Sequence, residues 1–153
     1  MQRLMMVYDR TTRIFSGRLI ESLALLLNRL ALAGIFWRSG RTKIAEGTAL
    51  QIDDTQYYLF EEFGLPVPGE IAVPLTAYAE HFLPVLVALG IGTRIGAAGL
   101  LVMTMVIQLL VFPEAWWPVH SLWAAMALIL VSRGGGIFSL DAIVTRLRDQ
   151  AKR

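Results

Sequence analysis

IGAAGLLVMTMVIQLLVF, residues 95–112, holds eighteen residues and no charge. As a helix rising about 1.5 Å per residue it is roughly 27 Å long, close to the ~30 Å hydrocarbon core of a bilayer. Its polar members, Thr104 and Gln108, are neutral. Upstream, the turn Gly90-Ile91-Gly92-Thr93-Arg94 joins it to a second apolar run at about 71–89. A third run lies at about 19–37, and a fourth, opening Trp116-Trp117-Pro118, at about 116–131. Each run is a little short or carries a polar residue. Their succession, with charged or Pro/Gly punctuation between them, predicts an all-α integral membrane protein. The predicted fold is a four-transmembrane-helix bundle, one membrane domain over residues 1–153.

Composition agrees with this. The chain is 56% apolar and 17% charged, whereas soluble domains average about 45–50% and about 25%. Too few polar groups are available to cover a water-facing surface. Cysteine is absent, which excludes disulfides, thiolate metal sites and a cysteine nucleophile. A formal net charge of +2 does not point to nucleic acid, and no phosphate-binding glycine loop or catalytic triad is present.

Lys and Arg set the expected orientation. Arg3, Arg10, Arg13 and Arg18 precede the first run, Arg94 sits in the second connection, and Arg133, Arg146, Arg148, Lys152 and Arg153 follow the last. The first connection is acidic, with Glu46, Asp53, Asp54, Glu61, Glu62 and Glu70, although Arg38, Arg41 and Lys43 lie at its start. Both termini are therefore expected in the cytoplasm. The first run does not read as a cleaved leader, because a long basic stretch precedes it and Asn28 and Arg29 interrupt it. Interfacial helices are expected in three places. Tyr57, Tyr58, Leu59, Phe60 and Phe63 predict one in the outer loop. Leu140, Ile143, Val144 and Leu147, behind the cap Ser139, predict another at about 139–150. The arginine-rich N-terminal segment is the third.

The polar residues inside the runs are the candidate site. An ionisable group at bilayer depth costs about 2.5–3.5 kcal/mol and calls for a partner. Arg29 lies near the middle of the first run, and Glu80 and His81 near the middle of the second. Antiparallel packing then predicts an Arg29–Glu80 ion pair. Successive helical residues point about 100° apart, so His81 faces elsewhere. Gln108 and His120 match each other in depth nearer the outer face. These five residues are equally what a purely structural bundle needs to fix its register. Glu80, His81 and His120 could in principle share a metal, but no HExxH-type spacing supports this, and no metal is assigned. Met103 and Met105 read as packing residues, and Gly92, Gly96 and Gly99 as a close-packing stripe.

Several features in order carry a resemblance. They are Phe36-Trp37-Arg38-Ser39-Gly40 with Lys43-Ile44, Ala79-Glu80 ahead of Pro84, and the Gly90–Arg94 turn. Trp117-Pro118-Val119-His120, then Arg133-Gly134-Gly135-Gly136 with Ser139-Leu140-Asp141, complete the set. Over about residues 20–145 the chain resembles the DoxX family. The resemblance implies a four-helix bundle in a bacterial inner membrane. Founding members are linked to thiosulfate:quinone oxidoreductase, others to membrane oxidoreductase complexes, and some relatives to gene clusters for copper-binding peptides.

Two function classes follow. In the first, the chain is a quinone-linked subunit of a membrane redox complex, with Glu80, His81 and His120 as partners for the quinone oxygens. A partner protein docked on the acidic outer loop would supply electrons, since the chain has no thiol of its own. In the second, it is a non-catalytic scaffold, alone or as a homo-oligomer, or a conduit for a small solute or metal-binding peptide. A polar pair opening onto a lipid-accessible cleft favours the first, and a sealed pair favours the second.

Overall fold

The structure, a computed structural model, describes residues 17–152. The expected N-terminal interfacial segment with Arg3, Arg10 and Arg13 lies outside the described residues. Among the described residues six α-helices follow one another: α1 (Arg18–Arg41), α2 (Thr55–Glu62), α3 (Gly69–Leu89), α4 (Thr93–Leu110), α5 (Ser121–Arg133) and α6 (Leu140–Ala151). A 3-10 turn at Pro113–Ala115 and a π-helical turn at Trp116–His120 lead into α5. Four segments of the described residues are long and apolar enough to cross a membrane: α1, α3, α4 and the stretch Pro113–Arg133. They pack as a ring in which α1 touches α3, α3 touches α4, α4 touches α5 and α5 returns to α1.

The bundle is inside-out relative to a water-soluble protein. Leu27, Leu75, Phe82, Ile95, Val102, Leu109 and Leu122 point outward, Ile95 with 79% of its surface exposed. Arg29, Glu80, His81, Thr104, Gln108 and His120 are buried among Leu32, Phe36, Val87 and Leu100. Apolar surface turned outward is stable only against an apolar solvent. The helices accordingly meet the acyl chains of a bilayer.

α1 runs four residues past the apolar stretch that predicts it, to Arg41. α3 passes through Pro74 and Pro84 without ending, although each proline removes one backbone hydrogen bond. Gly90, at φ 73°, ends α3 in the left-handed region. Its N–H bonds to the Val87 carbonyl at 3.1 Å and that of Ile91 to the Leu86 carbonyl at 2.9 Å, the paired bonds of a Schellman ending. A side chain at position 90 would collide with the Arg29 guanidinium.

Asp141, on α6, caps α4 from fifty residues downstream. Its carboxylate accepts the N–H groups of Gly92 at 2.8 Å and Thr93 at 2.9 Å, and the Thr93 hydroxyl at 2.8 Å. The Asp141 N–H in turn donates to the Gly90 carbonyl at 2.9 Å. An anion at a helix N-terminus satisfies donors that the helix cannot, and it complements the macrodipole. Burial pushes the Asp141 carboxyl up. The bonds from Thr93 and Gly92, with the charge of Arg29, outweigh that and hold it below the usual carboxylate range.

A carboxyl depressed in the fold stabilises it above the unfolded value of about 3.9, and this stabilisation is lost as pH falls through the lower folded value. Asp141→Asn should therefore lower the melting temperature in detergent at pH 7, and wild type and variant should converge in acid. A gap that does not narrow with falling pH contradicts the capping role.

Candidate functional site

Gly40, in the last turn of α1, lies against α3. A Cβ there would stand 2.8 Å from His81 Cε1 and 3.1 Å from Glu80 Cβ. Only a glycine permits this approach. It brings the end of α1, and Lys43 just beyond it, to the level of Glu80. Lys43 Nζ donates to Glu80 Oε2 at 2.6 Å and to Ser39 Oγ at 3.2 Å. Ser39 Oγ donates to Glu80 Oε1 at 3.1 Å. The Glu80 side chain is 1% exposed and that of Lys43 12%. Lys43, just beyond the end of α1, thus buries its head beside the acid.

Glu80 therefore pairs with Lys43, and the expected Arg29–Glu80 pair does not form. The reason is the stagger of α1 against α3. Gly40 faces Glu80 whereas Arg29 lies eleven residues earlier, about 16 Å along the axis at 1.5 Å per residue. A long helical side chain also leans toward its own N-terminus, which carries the guanidinium further away. Arg29 instead reaches Gly90, and its Nη2 donates to the Phe138 carbonyl at 2.9 Å. Its Nε and Nη1 have no hydrogen-bond partner among the described residues.

His81 faces away from Glu80. Its Nδ1 lies 2.6 Å from the Ala77 carbonyl. A carbonyl only accepts, so Nδ1 carries the proton and Nε2 is left as an acceptor, unpartnered among the described residues. Trp37 packs edge-on against the ring at 5.0 Å. His120 and Gln108 form a separate unit. The Gln108 amide donates to the Pro113 carbonyl at 2.7 Å, so its oxygen is free to accept from His120 Nδ1 at 2.8 Å. The π-helical turn carries His120 to the base of α5, and Trp123 packs against the imidazole at 5.0 Å. No three His, Cys, Asp or Glu side chains among the described residues stand close enough to share a metal ion.

A cavity of about 580 Å³ lies between α1, α3 and α4, at the end of the bundle where α1 finishes. Its wall is apolar: Phe36 from α1, Leu75 and Ala79 from α3, Met103 and Val106 from α4, and Trp123 from α5. α2 covers it with Leu59, Phe60 and Phe63, and Phe63 meets Phe112 edge-on at 5.8 Å. The Ser39–Lys43–Glu80 cluster forms one corner, and Thr42, Gln56 and Thr76 add neutral polar atoms.

Among the sequence-derived candidates, Glu80 lines this cavity. Arg29, His81, Gln108 and His120 do not, although His120 is one ring removed through Trp123. Sequence reasoning missed Ser39, Lys43 and the aromatic cover of α2. A signal was present: Lys43 is a base just past an apolar run, one helical turn beyond Ser39.

Lys43→Met leaves a buried carboxylate without a counter-charge, and Glu80→Gln leaves a buried ammonium without one. Each is expected to cost about 3–5 kcal/mol, the cost of breaking a buried pair, with Glu80→Gln at the low end because Lys43 can retreat to outer water. The double variant should melt, in detergent, at a higher temperature than the sum of the single losses allows. Strictly additive losses overturn the pairing.

Searches of curated proteins and of solved structures gave no significant match. A model of the DoxX family matches residues 24–113, well over half of the 153-residue chain. That stretch holds Gly40, Lys43 and Glu80, most of the cavity wall and all of its α2 cover, and on this match the chain belongs to the DoxX family.

Proposed function

We propose that the chain is a quinone-linked subunit of a membrane redox complex, with the quinone held in the cavity between α1, α3 and α4. The observation that carries this reading is one chamber, apolar on nearly all its wall, with a single charged corner. Its volume, about 580 Å³, falls in the range of small-molecule sites. An isoprenoid quinone has the matching shape in chemistry, an apolar body with two carbonyl oxygens. When bound, the quinone supplies a two-electron, two-proton carrier that moves in the lipid. Lys43 Nζ and the Gln56 amide are the donors available to a carbonyl oxygen, and Glu80 is the group positioned to hold or accept a proton beside it. Leu59, Phe60 and Phe63 exclude outer water from that corner.

In this reading the electrons come from a partner protein docked on the acidic outer surface around Asp53, Asp54, Glu61 and Glu62. Arg18, Arg94, Arg133, Arg146 and Arg148 gather at the opposite end of the bundle. By the positive-inside rule that end faces the cytoplasm of a bacterial inner membrane, so the start of α1 and all of α6 lie there. His120 and Gln108 support Trp123, a cavity wall, and do not touch the quinone themselves.

A lipid extract of the purified protein, measured by mass spectrometry, tests the reading. Wild type should carry quinone in stoichiometric amount. Ala79→Phe, which fills the cavity, should lose it at unchanged helix content, and His120→Ala should retain most of it. Quinone no higher than the membrane background in wild type would move the assignment to the scaffold or conduit reading, with Lys43–Glu80 as a bundle staple.

A further inference from the structure

A second cavity, about 820 Å³, lies at the opposite end of the bundle, between the start of α1, the start of α4, the Gly134–Gly136 loop and α6. Five arginines line it, Arg18, Arg94, Arg133, Arg146 and Arg148, against three acids, Glu21, Asp141 and Asp149. Two of those acids are already engaged. Asp141 accepts from Gly92 and Thr93, and Glu21 pairs with Arg133 at 3.1 Å. Arg94 donates to the Val131 carbonyl at 3.0 Å. Arg18, Arg146 and Arg148 have no acid within ion-pair distance among the described residues. Among the described residues the groove therefore carries more cations than acids that neutralise them.

Its floor is made for close approach. Gly134 and Gly136 take φ of 77° and 72°, and Gly135 presses on Ser139 and Thr93, where a Cβ would stand 2.6 Å from Ser139 Cβ and 2.7 Å from Thr93 Oγ1. The lining also includes the apolar residues Leu25, Ile95, Ile137 and Val144. α6 runs along the rim with Ile143, Val144 and Leu147 exposed beside its arginines, the pattern of a helix lying in a membrane interface. Cations and apolar side chains lining one groove, beside an amphipathic helix, match one molecule class.

We propose that this groove binds an anionic phospholipid of the adjacent leaflet. Arg18, Arg146 and Arg148 hold the headgroup phosphate, and the acyl chains run along Ile95 and Val144 toward the bundle's lipid face. Basic pockets between membrane helices take such headgroups. The bidentate fork of arginine suits phosphate oxygens better than a lysine would. The groove is separate from the outer cavity, and nothing in this proposal depends on a quinone.

The test is native mass spectrometry of the full chain, titrated with phosphatidylglycerol or phosphatidylcholine. Wild type should retain phosphatidylglycerol in preference, with one tight adduct. Each arginine near the surface is worth on the order of fivefold in affinity, so R18Q/R146Q/R148Q should bind it about a hundredfold more weakly at an unchanged melting temperature. If the triple variant fails to fold, Arg148→Glu alone, at an exposed position, should remove the preference. Equal retention of the two lipids by wild type overturns the proposal, as does an undiminished preference in the variants. Inorganic phosphate that stabilises wild type as much as the lipid does would also overturn it, by making the groove a site for a free anion.

Discussion

The contact of Gly40 with α3 sets where every buried charge of the bundle comes to rest. A methyl group at that position would stand 2.8 Å from the His81 ring, so glycine alone lets the two helices approach this closely. The approach fixes the stagger of α1 against α3. Lys43 comes level with Glu80, and Arg29 comes level with Gly90, the second glycine that yields space to a side chain across the helix pair. Each charge thereby finds a separate environment. Glu80 and Lys43 close a pair toward one end of the bundle, and Arg29 meets the Phe138 carbonyl and the field of Asp141 toward the other.

This division leaves space between α1, α3 and α4. The Lys43–Glu80 pair sits at the edge of a chamber whose remaining wall is mostly apolar, with Thr42, Gln56 and Thr76 as its neutral polar members. The cover, α2, packs in a small cluster with Phe60 and Val73 buried, while Phe36 joins the chamber wall to the core around Leu32 and Leu100. The two ends of the bundle thus carry different chemistry. One is a largely apolar chamber with an acid–ammonium corner, the other an arginine-rich groove.

Much of the architecture was legible in the sequence, because a bilayer demands lengths and hydropathies that composition alone reveals. The four spans, the amphipathic helix at Thr55–Glu62 and the tail helix capped by Ser139 all follow from periodicity and capping chemistry. The pairing of charges was not legible. Placing Arg29 and Glu80 at one depth assumed that each apolar run is centred in the membrane, and α1 in fact continues to Arg41 while α3 begins at Gly69. Hydropathy does not record such a slide, because it depends on which side chain is small enough at a crossing. The link from Asp141 to the start of α4 was equally hidden, since nothing in the local sequence marks a cap supplied from another helix. The hydrogen bond between Gln108 and His120 rests on a π-helical turn that no periodicity signals.

The stagger can be measured directly because the chain has no cysteine of its own. Ser39, beside Gly40, meets Glu80 through its hydroxyl at 3.1 Å, whereas Arg29 lies ten residues earlier, about 15 Å along the axis. Ser39→Cys with Glu80→Cys should be joined in membranes by a short thiol-specific cross-linker, and Arg29→Cys with Glu80→Cys should not. Cross-linking of the Arg29 and Glu80 positions, with none between Ser39 and Glu80, would contradict the packing of α1 on α3 and the site built on it.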